Sequence, residues 1–279
     1  MLSQDLDHYL KIWNLSDPQL LTKTNTSHIY TVLFEGKRVI LKVLTAEGKE
    51  EKTGAVALRY FSGQGAVQLL REDEQAHLLE YADGEDLVGM VKSGADEQAT
   101  GIIADVLNQL HSASNELYPE GLTPLPIWFG ELFKKADLDR RAGINSLYTR
   151  AAPMAEALLA DPYDARVLHG DIHHENIRYH RERGWLAFDP KGLVGERTFD
   201  AVNVLRNPMN MPALVENETR LLKQANILAQ KMGLDMSRLL KFVFVYTALS
   251  ASWFISDGGD ADAEADVRIA RLVEPHLQG

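Results

Sequence analysis

The densest chemical string in the chain is LHGDIHHENIRYH, Leu168 to His180, followed at once by LAFDP, Leu186 to Pro190. Two apolar runs, Ile177 to Tyr179 and Trp185 to Phe188, flank a charged turn from His180 to Gly184, a pattern that predicts a β-hairpin. Asp171 and Asn176 lie on the way into it, and Asp189 at its exit. A hairpin brings its two ends together, so an amide oxygen and a carboxylate can converge on one cation. Hard oxygen donors in so small a number suit magnesium, which completes its shell with water and phosphate oxygens. Asp171 is left near that site, able to accept a proton from an incoming hydroxyl. The same string permits another chemistry, because His169, His173 and His174 with Asp171 are residue types that gather zinc for hydrolysis. That reading leaves Asn176 and Asp189 unexplained. His169 itself reads as structural, hydrogen-bonded to backbone rather than titrating.

These residues need elements to hold them. Leu20 to Thr24, Ile29 to Phe34 and Arg38 to Leu44 are strand-like, and Glu35-Gly36-Lys37 supplies a hairpin turn between the last two. Lys42 sits inside the third run, RVILKVL. An ammonium in an apolar strand needs an anionic partner to keep its charge, unless it reaches solvent at the strand edge. A helix over Ala55 to Phe61 and two further strands, Ala66 to Leu70 and His77 to Tyr81, follow. Glu72-Asp73-Glu74 is the turn between those strands. Beyond Ala82-Asp83-Gly84 the periodicity turns helical. Ile102, Ile103, Val106, Leu107 and Leu110 share one face, as do Leu221, Leu222, Ala225, Leu228 and Met232 ahead of a stop at Gly233. The helix from Ser237 to Ile255 reads as buried on most sides. The class is therefore α+β, a small antiparallel sheet with one main helix over 1–82 and a larger helical part over 83–279.

Of 279 residues, 29 are basic and 40 acidic, a net charge of −11. Nucleic acid and anionic membrane both demand a basic patch, so neither is the expected partner; a cationic ligand is compatible. No cysteine is present, which excludes disulfides and cysteine-held zinc and fits a reducing cytoplasm. The first eleven residues lack the apolar core of a signal peptide, and the run from Phe242 to Ile255 is too short to span a bilayer. The acidic tract from Asp257 to Asp266 is expected to be mobile or to cap a helix.

HGDIHHEN resembles the H-G-D-x-x-x-x-N catalytic loop of aminoglycoside phosphotransferases, and Asp189-Pro190 is similar to the acidic metal position that protein kinases place in D-F-G. VLHGD, then DPKG (Asp189 to Gly192), then TFDAVNVLRNP (Thr198 to Pro208), look most like the aminoglycoside 6-phosphotransferase and hydroxyurea kinase branch. GAVALRYFSGQGAVQLL (Gly54 to Leu70) is similar to that branch as well. The resemblance covers roughly Leu20 to Pro208.

It implies a protein-kinase-like fold with two lobes and transfer of a phosphoryl group from ATP, with Mg2+, to a small-molecule hydroxyl. By position, Asp171 matches the general base, Asn176 and Asp189 the metal ligands, and Lys42 the lysine that holds the α- and β-phosphates. Glu51 is the first choice for the helix glutamate that pairs with Lys42, and Glu50 the second, because Gly54 occupies part of the helix where the partner is sought. No G-x-G-x-x-G stands between Leu20 and Phe34. The turn Thr24-Asn25-Thr26-Ser27-His28 can still offer backbone N–H groups and hydroxyls to phosphate, and Ser27 is its chosen contact. LLEYADGEDL (Leu78 to Leu87) resembles the inter-lobe hinge, where Glu80 and Ala82 read adenine through main-chain atoms. Asp200 matches the residue that braces the catalytic loop. Streptomycin-like aminoglycosides and hydroxyurea are the implied acceptors, which makes antibiotic resistance the implied role. Trp253, Asp257 and Trp128 are candidates to meet a cationic acceptor, with core packing the competing reading of Trp253. A housekeeping kinase of a sugar or amino alcohol, and a kinase-like module without turnover, are the alternatives.

Overall fold

The computed structural model describes residues 4–48, 51–113 and 118–277. It opens with a helix that the strand-based reading passed over, α1 (Gln4–Ile12). Its Leu6 and Tyr9, with Trp13 and Leu15 just beyond, pack with Tyr30, Val32, Leu41 and Leu78 of the sheet that follows. That sheet contains β1 (Ser16–Lys23), β2 (Ser27–Phe34), β3 (Lys37–Leu44), β4 (Leu69–Glu72) and β5 (Ala76–Glu80) in the order β1-β2-β3-β5-β4. Every pairing in it is antiparallel. Glu35 and Gly36 both take positive φ, 51° and 78°. This is the mirror-image turn whose twist matches two right-handed strands.

Side chains alternate across β3. Val39, Leu41 and Val43 enter the small core shared with α1, so Ile40 and Lys42 fall on the opposite face. Helix α2 (Glu51–Phe61) covers that side of the sheet. Its Ala57, Leu58 and Phe61, together with Ala66, Val67, Leu79 and Ala82, belong to the same continuous apolar cluster as the helices that follow. The core does not divide where the element types change.

The larger lobe is built from α3 (Val88–Lys92), α4 (Asp96–Ser112), α5 (Leu125–Trp128), α6 (Gly130–Arg141), α7 (Leu147–Ala160), α8 (Pro212–Val215), α9 (Glu218–Met232), α10 (Met236–Ser256) and α11 (Asp260–Val273). Helix α9 stops at Gly233, which caps it with φ 64°. At 21 residues α10 is longer than the apolar run within it and is long and apolar enough to cross a membrane, against the sequence expectation. Most of that span is buried inside the lobe. The acidic tract after it is also corrected: from Asp260 it forms the first turns of α11, and Asp266 is fully buried.

Two small sheets place the catalytic string. β6 (Thr123–Pro124), β7 (Ala165–Leu168) and β10 (Leu193–Glu196) form one, with β10 in the centre. β8 (Ile177–His180) and β9 (Gly184–Ala187) form the other, the hairpin expected from the sequence. The segment after β5 is zipped onto β8: Gly84 N–H donates to Tyr179 C=O, and Tyr179 N–H to Glu85 C=O.

Gly54 explains itself here. A Cβ on it would lie 2.3 Å from the Pro190 carbonyl oxygen, and one on Gly192 would lie 2.0 Å from that of Thr53. Helix α2 therefore touches the 190–192 loop backbone to backbone. Alanine is worth about 1 kcal/mol more than glycine inside a helix, whereas overpacking costs roughly 1–3 kcal/mol. We expect Gly54→Ala to lower the thermal unfolding midpoint, by about 2–4 °C per kcal/mol lost. A rise in the midpoint would mean that propensity wins and that the contact is looser than described.

Candidate active site

Strand β7 delivers His169, Gly170 and Asp171 to the base of a cleft, where β10 fixes them from the other side: Leu193 pairs with Leu168, and Lys191 N–H donates to His169 C=O at 2.7 Å. Gly170 has φ 81°, and a Cβ there would collide with the Leu193 side chain at 2.7 Å. Both constraints select glycine. Asp200, 2% exposed, accepts from the N–H groups of His169 at 2.9 Å and Gly170 at 2.6 Å and meets His111 Nε2 at 2.8 Å. It lies inside a 3-10 turn, Arg197–Ala201, rather than capping a helix. His169 donates from Nε2 to Phe188 C=O at 3.0 Å, while its Nδ1 accepts from Asp171 N–H at 3.3 Å. Burial pushes this imidazole down, so it stands as a neutral strut.

Past Asp171 the chain makes a 3-10 turn, His174–Asn176, and enters β8. Asn176 donates from Nδ2 to Asp171 C=O at 2.9 Å and its own C=O accepts from Phe188 N–H at 3.0 Å. The hairpin register pairs Ile177 with Ala187. Asn176 and Asp189 are thus brought to the same end of the hairpin, Asp189 with φ 61°, a left-handed conformation that Asp tolerates better than most residues.

Across the cleft, Lys42 donates to Glu51 Oε2 at 2.6 Å and to Asp189 Oδ1. Lys42 is 6% exposed, which rules out the solvent-reaching alternative. Burial pulls its ammonium down, but Asp189 and Glu51 together outweigh that and hold it above the ordinary lysine value. Burial pushes the Asp189 carboxyl up, but Lys42 and Lys191 hold it below the usual carboxylate range. Glu51 is also tied to Thr26, whose hydroxyl donates to its Oε1 at 2.8 Å. Glu50 lies outside the described residues.

A cavity of about 370 Å³ opens beside Lys42, within the range of small-ligand sites. Ile29, Ile40, Val67, Leu79 and Phe188 form its apolar walls, and Glu80, Tyr81 and Ala82 form one rim. The Glu80 N–H is taken by Gln68 C=O, and its side chain is held by Arg183 and His180. Among the described residues the backbone N–H and C=O of Ala82 have no partner. Ser27 is 1% exposed and engaged with Thr24, whose Oγ1 accepts from its N–H at 3.0 Å. Its hydroxyl also meets that of Thr24, at 3.2 Å, leaving Thr24 and Asn25 as the exposed residues there.

The histidines of the string do not form a metal centre. His173 pairs with Glu175 at 2.7 Å, His169 with backbone, and His174 is fully buried and pushed down to about 4 by burial and by Arg220. Among the described residues no three His, Asp or Glu side chains gather as a metal site. The zinc hydrolase reading falls. Asn176 and Asp189 remain a fitting pair of hard oxygen donors for one magnesium ion.

The chain matches the family described as aminoglycoside/hydroxyurea antibiotic resistance kinase over residues 12–258. It belongs to that family. This kinase is 38% identical to a streptomycin 3''-kinase of Klebsiella pneumoniae over 92% of its own length and 94% of the relative's. It is 31% identical to a streptomycin 6-kinase of Streptomyces griseus, covering 86% and 78%. In fold it is similar to an aminoglycoside phosphotransferase solved with ADP and hygromycin B, with TM-score 0.68 at 14% identity, covering 98% and 99% of the two chains. The kinase is a phosphotransferase acting on hydroxyl groups of small molecules, and its fold is protein-kinase-like, a sheet lobe before a helical one.

Of the acceptor candidates, Trp253 is committed largely to packing, with its ring edge-on to Trp128 at 5.2 Å and to Tyr246 at 6.4 Å. Asp257 is exposed at the end of α10, and no described contact joins either residue to Asp171. Sequence reading missed Lys191, whose Nζ lies 3.8 Å from Asp171 Oδ2, although its place in DPKG was a signal. It also missed His111 and Asn203, which carry no local signature.

His77 faces Lys42 across β3 and β5 and is 4% exposed. Burial, then the Lys42 charge, pushes it down to about 4 from 6.5. The folded state therefore favours the neutral ring, and its contribution is complete above pH 6.5 and is lost as pH falls toward 4. We expect unfolding free energy to drop by up to about 3 kcal/mol across that window on this account. Urea titrations at a series of pH values should show a shallower acid loss in His77→Gln; an unchanged slope would show that other groups set it.

Proposed function

We propose that the kinase transfers the γ-phosphoryl group of ATP to a hydroxyl of a streptomycin-like aminoglycoside, with Asp171 as general base. The observation that carries this reading is that Lys42, paired with Glu51 on one side of a cleft, reaches across to Asp189, which lies at the same end of the hairpin as Asn176 and close to Asp171. Lys42 is placed to meet the α- and β-phosphates, and Glu51 keeps it charged and aimed. The apolar cavity takes the adenine, with the free backbone groups of Ala82 at its rim. Asn176 and Asp189 would hold magnesium, which when bound neutralises phosphate charge as the group moves. Asp171 orients the acceptor hydroxyl and takes its proton, a modest demand because phosphoryl transfer is mostly positioning and charge neutralisation.

The net charge of −11 and the likeness to two streptomycin kinases support a cationic acceptor. They leave the hydroxyl to be determined, since those relatives are named for different positions. Use of ATP fits action in the cytoplasm, the net charge of −11 argues against nucleic acid or anionic membrane as partner, and membership of a family described by antibiotic resistance supports resistance as the biological role.

Turnover of ATP against streptomycin, other aminoglycosides, hydroxyurea and simple sugars tests the substrate class, and product analysis reads the position. We expect streptomycin to give the fastest turnover; a response to sugars alone would replace the antibiotic reading with a metabolic one. Asp171→Asn should lower kcat by about a hundredfold or more while nucleotide binding, followed by calorimetry, stays within about twofold. Full turnover in that variant would remove Asp171 from the role of base.

A further inference from the structure

A line of buried amide groups runs from Asp171 away from the cleft and into the helical lobe. Asn203 donates from Nδ2 to Asp171 Oδ1 at 2.8 Å. Asn207 Nδ2 donates in turn to the side-chain oxygen of Asn203 at 3.1 Å and to its backbone carbonyl oxygen at 2.8 Å. The backbone carbonyl oxygen of Asn207 accepts from Arg220 Nη2 at 3.0 Å. Arg220 is gripped by Asp96 through two hydrogen bonds, Nε to Oδ2 at 2.7 Å and Nη2 to Oδ1 at 2.9 Å. Gln224 adds a third to the same carboxylate, at 2.6 Å. Asn203, Asn207, Arg220 and Gln224 are 4%, 2%, 8% and 2% exposed. Only the two carboxylates at the ends of the line, Asp171 and Asp96, are partly open to water.

The order of the line fixes a direction. A carboxamide has a donor end and an acceptor end, and the two are nearly equal in shape. Asn207 presents an NH2 group to Asn203, so the oxygen of Asn203 must face Asn207 and its nitrogen must face Asp171. Turning the amide over would set oxygen against carboxylate and NH2 against NH2, two buried repulsive contacts. The Asn207 amide is oriented by the Asn203 backbone carbonyl, which can only accept, and Arg220, held by the Asp96 carboxylate on α4, fixes the Asn207 backbone through its carbonyl oxygen. Arg206 Nη1 also reaches the Asn203 side-chain oxygen, at 3.5 Å, so the amide facing Asp171 is set by the donors on its far side, and the Arg220–Asp96 pair holds the backbone that carries Asn207. Its effect on Asp171 is to occupy one carboxylate oxygen. Oδ1 is spent on Asn203, and Oδ2 is the oxygen that Lys191 approaches at 3.8 Å.

We propose that Asn203 is a positioning residue for phosphoryl transfer, holding Asp171 so that Oδ2 alone meets the acceptor hydroxyl, and that Asn207, Arg220 and Asp96 anchor it. The proposal rests on the reading of Asp171 as the base. Removing the amide leaves the carboxylate free to rotate, and a misplacement of about 1 Å costs on the order of a hundredfold in rate.

Steady-state kinetics on the full-length protein, with ATP and the fastest acceptor of the panel, provide the test. Asn203→Ala should lower kcat by about thirty- to a hundredfold, with the KM for ATP and calorimetric nucleotide affinity within about twofold. Asn207→Ala should lower kcat by about tenfold with the same split, and the double variant should be no slower than Asn203→Ala, because both act through one bond. A general loss of structure would raise both KM values and would multiply in the double variant. Should Asn203→Ala not fold, Asn207→Ala carries the test by itself, and an unchanged kcat there overturns the proposal. Asp171→Asn measured alongside separates the two levels. An inactive Asp171→Asn beside a fully active Asn203→Ala removes the positioning role and leaves the base in place. Full turnover in Asp171→Asn removes both.

Discussion

Lys42 is a buried charge that three parts of the chain must meet to satisfy. It comes from the middle of β3, Glu51 from the first turn of α2, and Asp189 from just after the β8–β9 hairpin. An isolated ammonium at that depth would lose its proton or unfold its surroundings. Two carboxylates keep it charged, and the same contacts fix the sheet, the helix and the hairpin exit relative to one another. The cavity beside Lys42 and the proposed metal donors, Asn176 and Asp189, inherit their geometry from that junction. His77, the cross-strand neighbour of Lys42, stays neutral because burial and then the Lys42 charge disfavour a second positive charge there.

A second junction lies below, around Asp200. This buried carboxylate takes two backbone N–H groups from the loop that carries Asp171 and a histidine from α4. With His169 bridging Phe188 C=O and Asp171 N–H, it makes the loop a rigid piece of the helical lobe. The cleft therefore has one wall built on Lys42 and one on Asp200, and Asp189 belongs to both, through its ion pair and through the hairpin strand that His169 touches.

Much of this could be read from residue order alone. The hairpin between Ile177 and Ala187 and the strand carrying Lys42 follow from short-range periodicity and turn residues, which act over a few positions. Helix α1 was readable too, since Leu6, Tyr9, Leu10 and Trp13 keep a helical spacing, but the polar residues between them drew the pattern toward loop. What stayed hidden depends on distance in sequence. Asn203 acquires its meaning only when α9 brings Arg220 beside Asn207, and Ser27 looked available until Thr24 claimed its N–H. Gly54 looked like a flaw in a helix, and its reason lies in Pro190, far along the chain. The family resemblance supplied candidate positions for the base and metal donors, whereas the support around those residues is visible only in three dimensions.

The glycine contact between α2 and the 190–192 loop has a consequence for control. In kinases that are switched, the lysine–glutamate pair is made and broken as the helix bearing the glutamate moves. Here that helix rests backbone against backbone on the loop that follows Asp189, and Thr53 adds a hydrogen bond to Lys191 C=O at 2.5 Å. It has no freedom to swing without dragging Asp189 with it. The Lys42–Glu51 and Lys42–Asp189 pairs are therefore mechanically one unit.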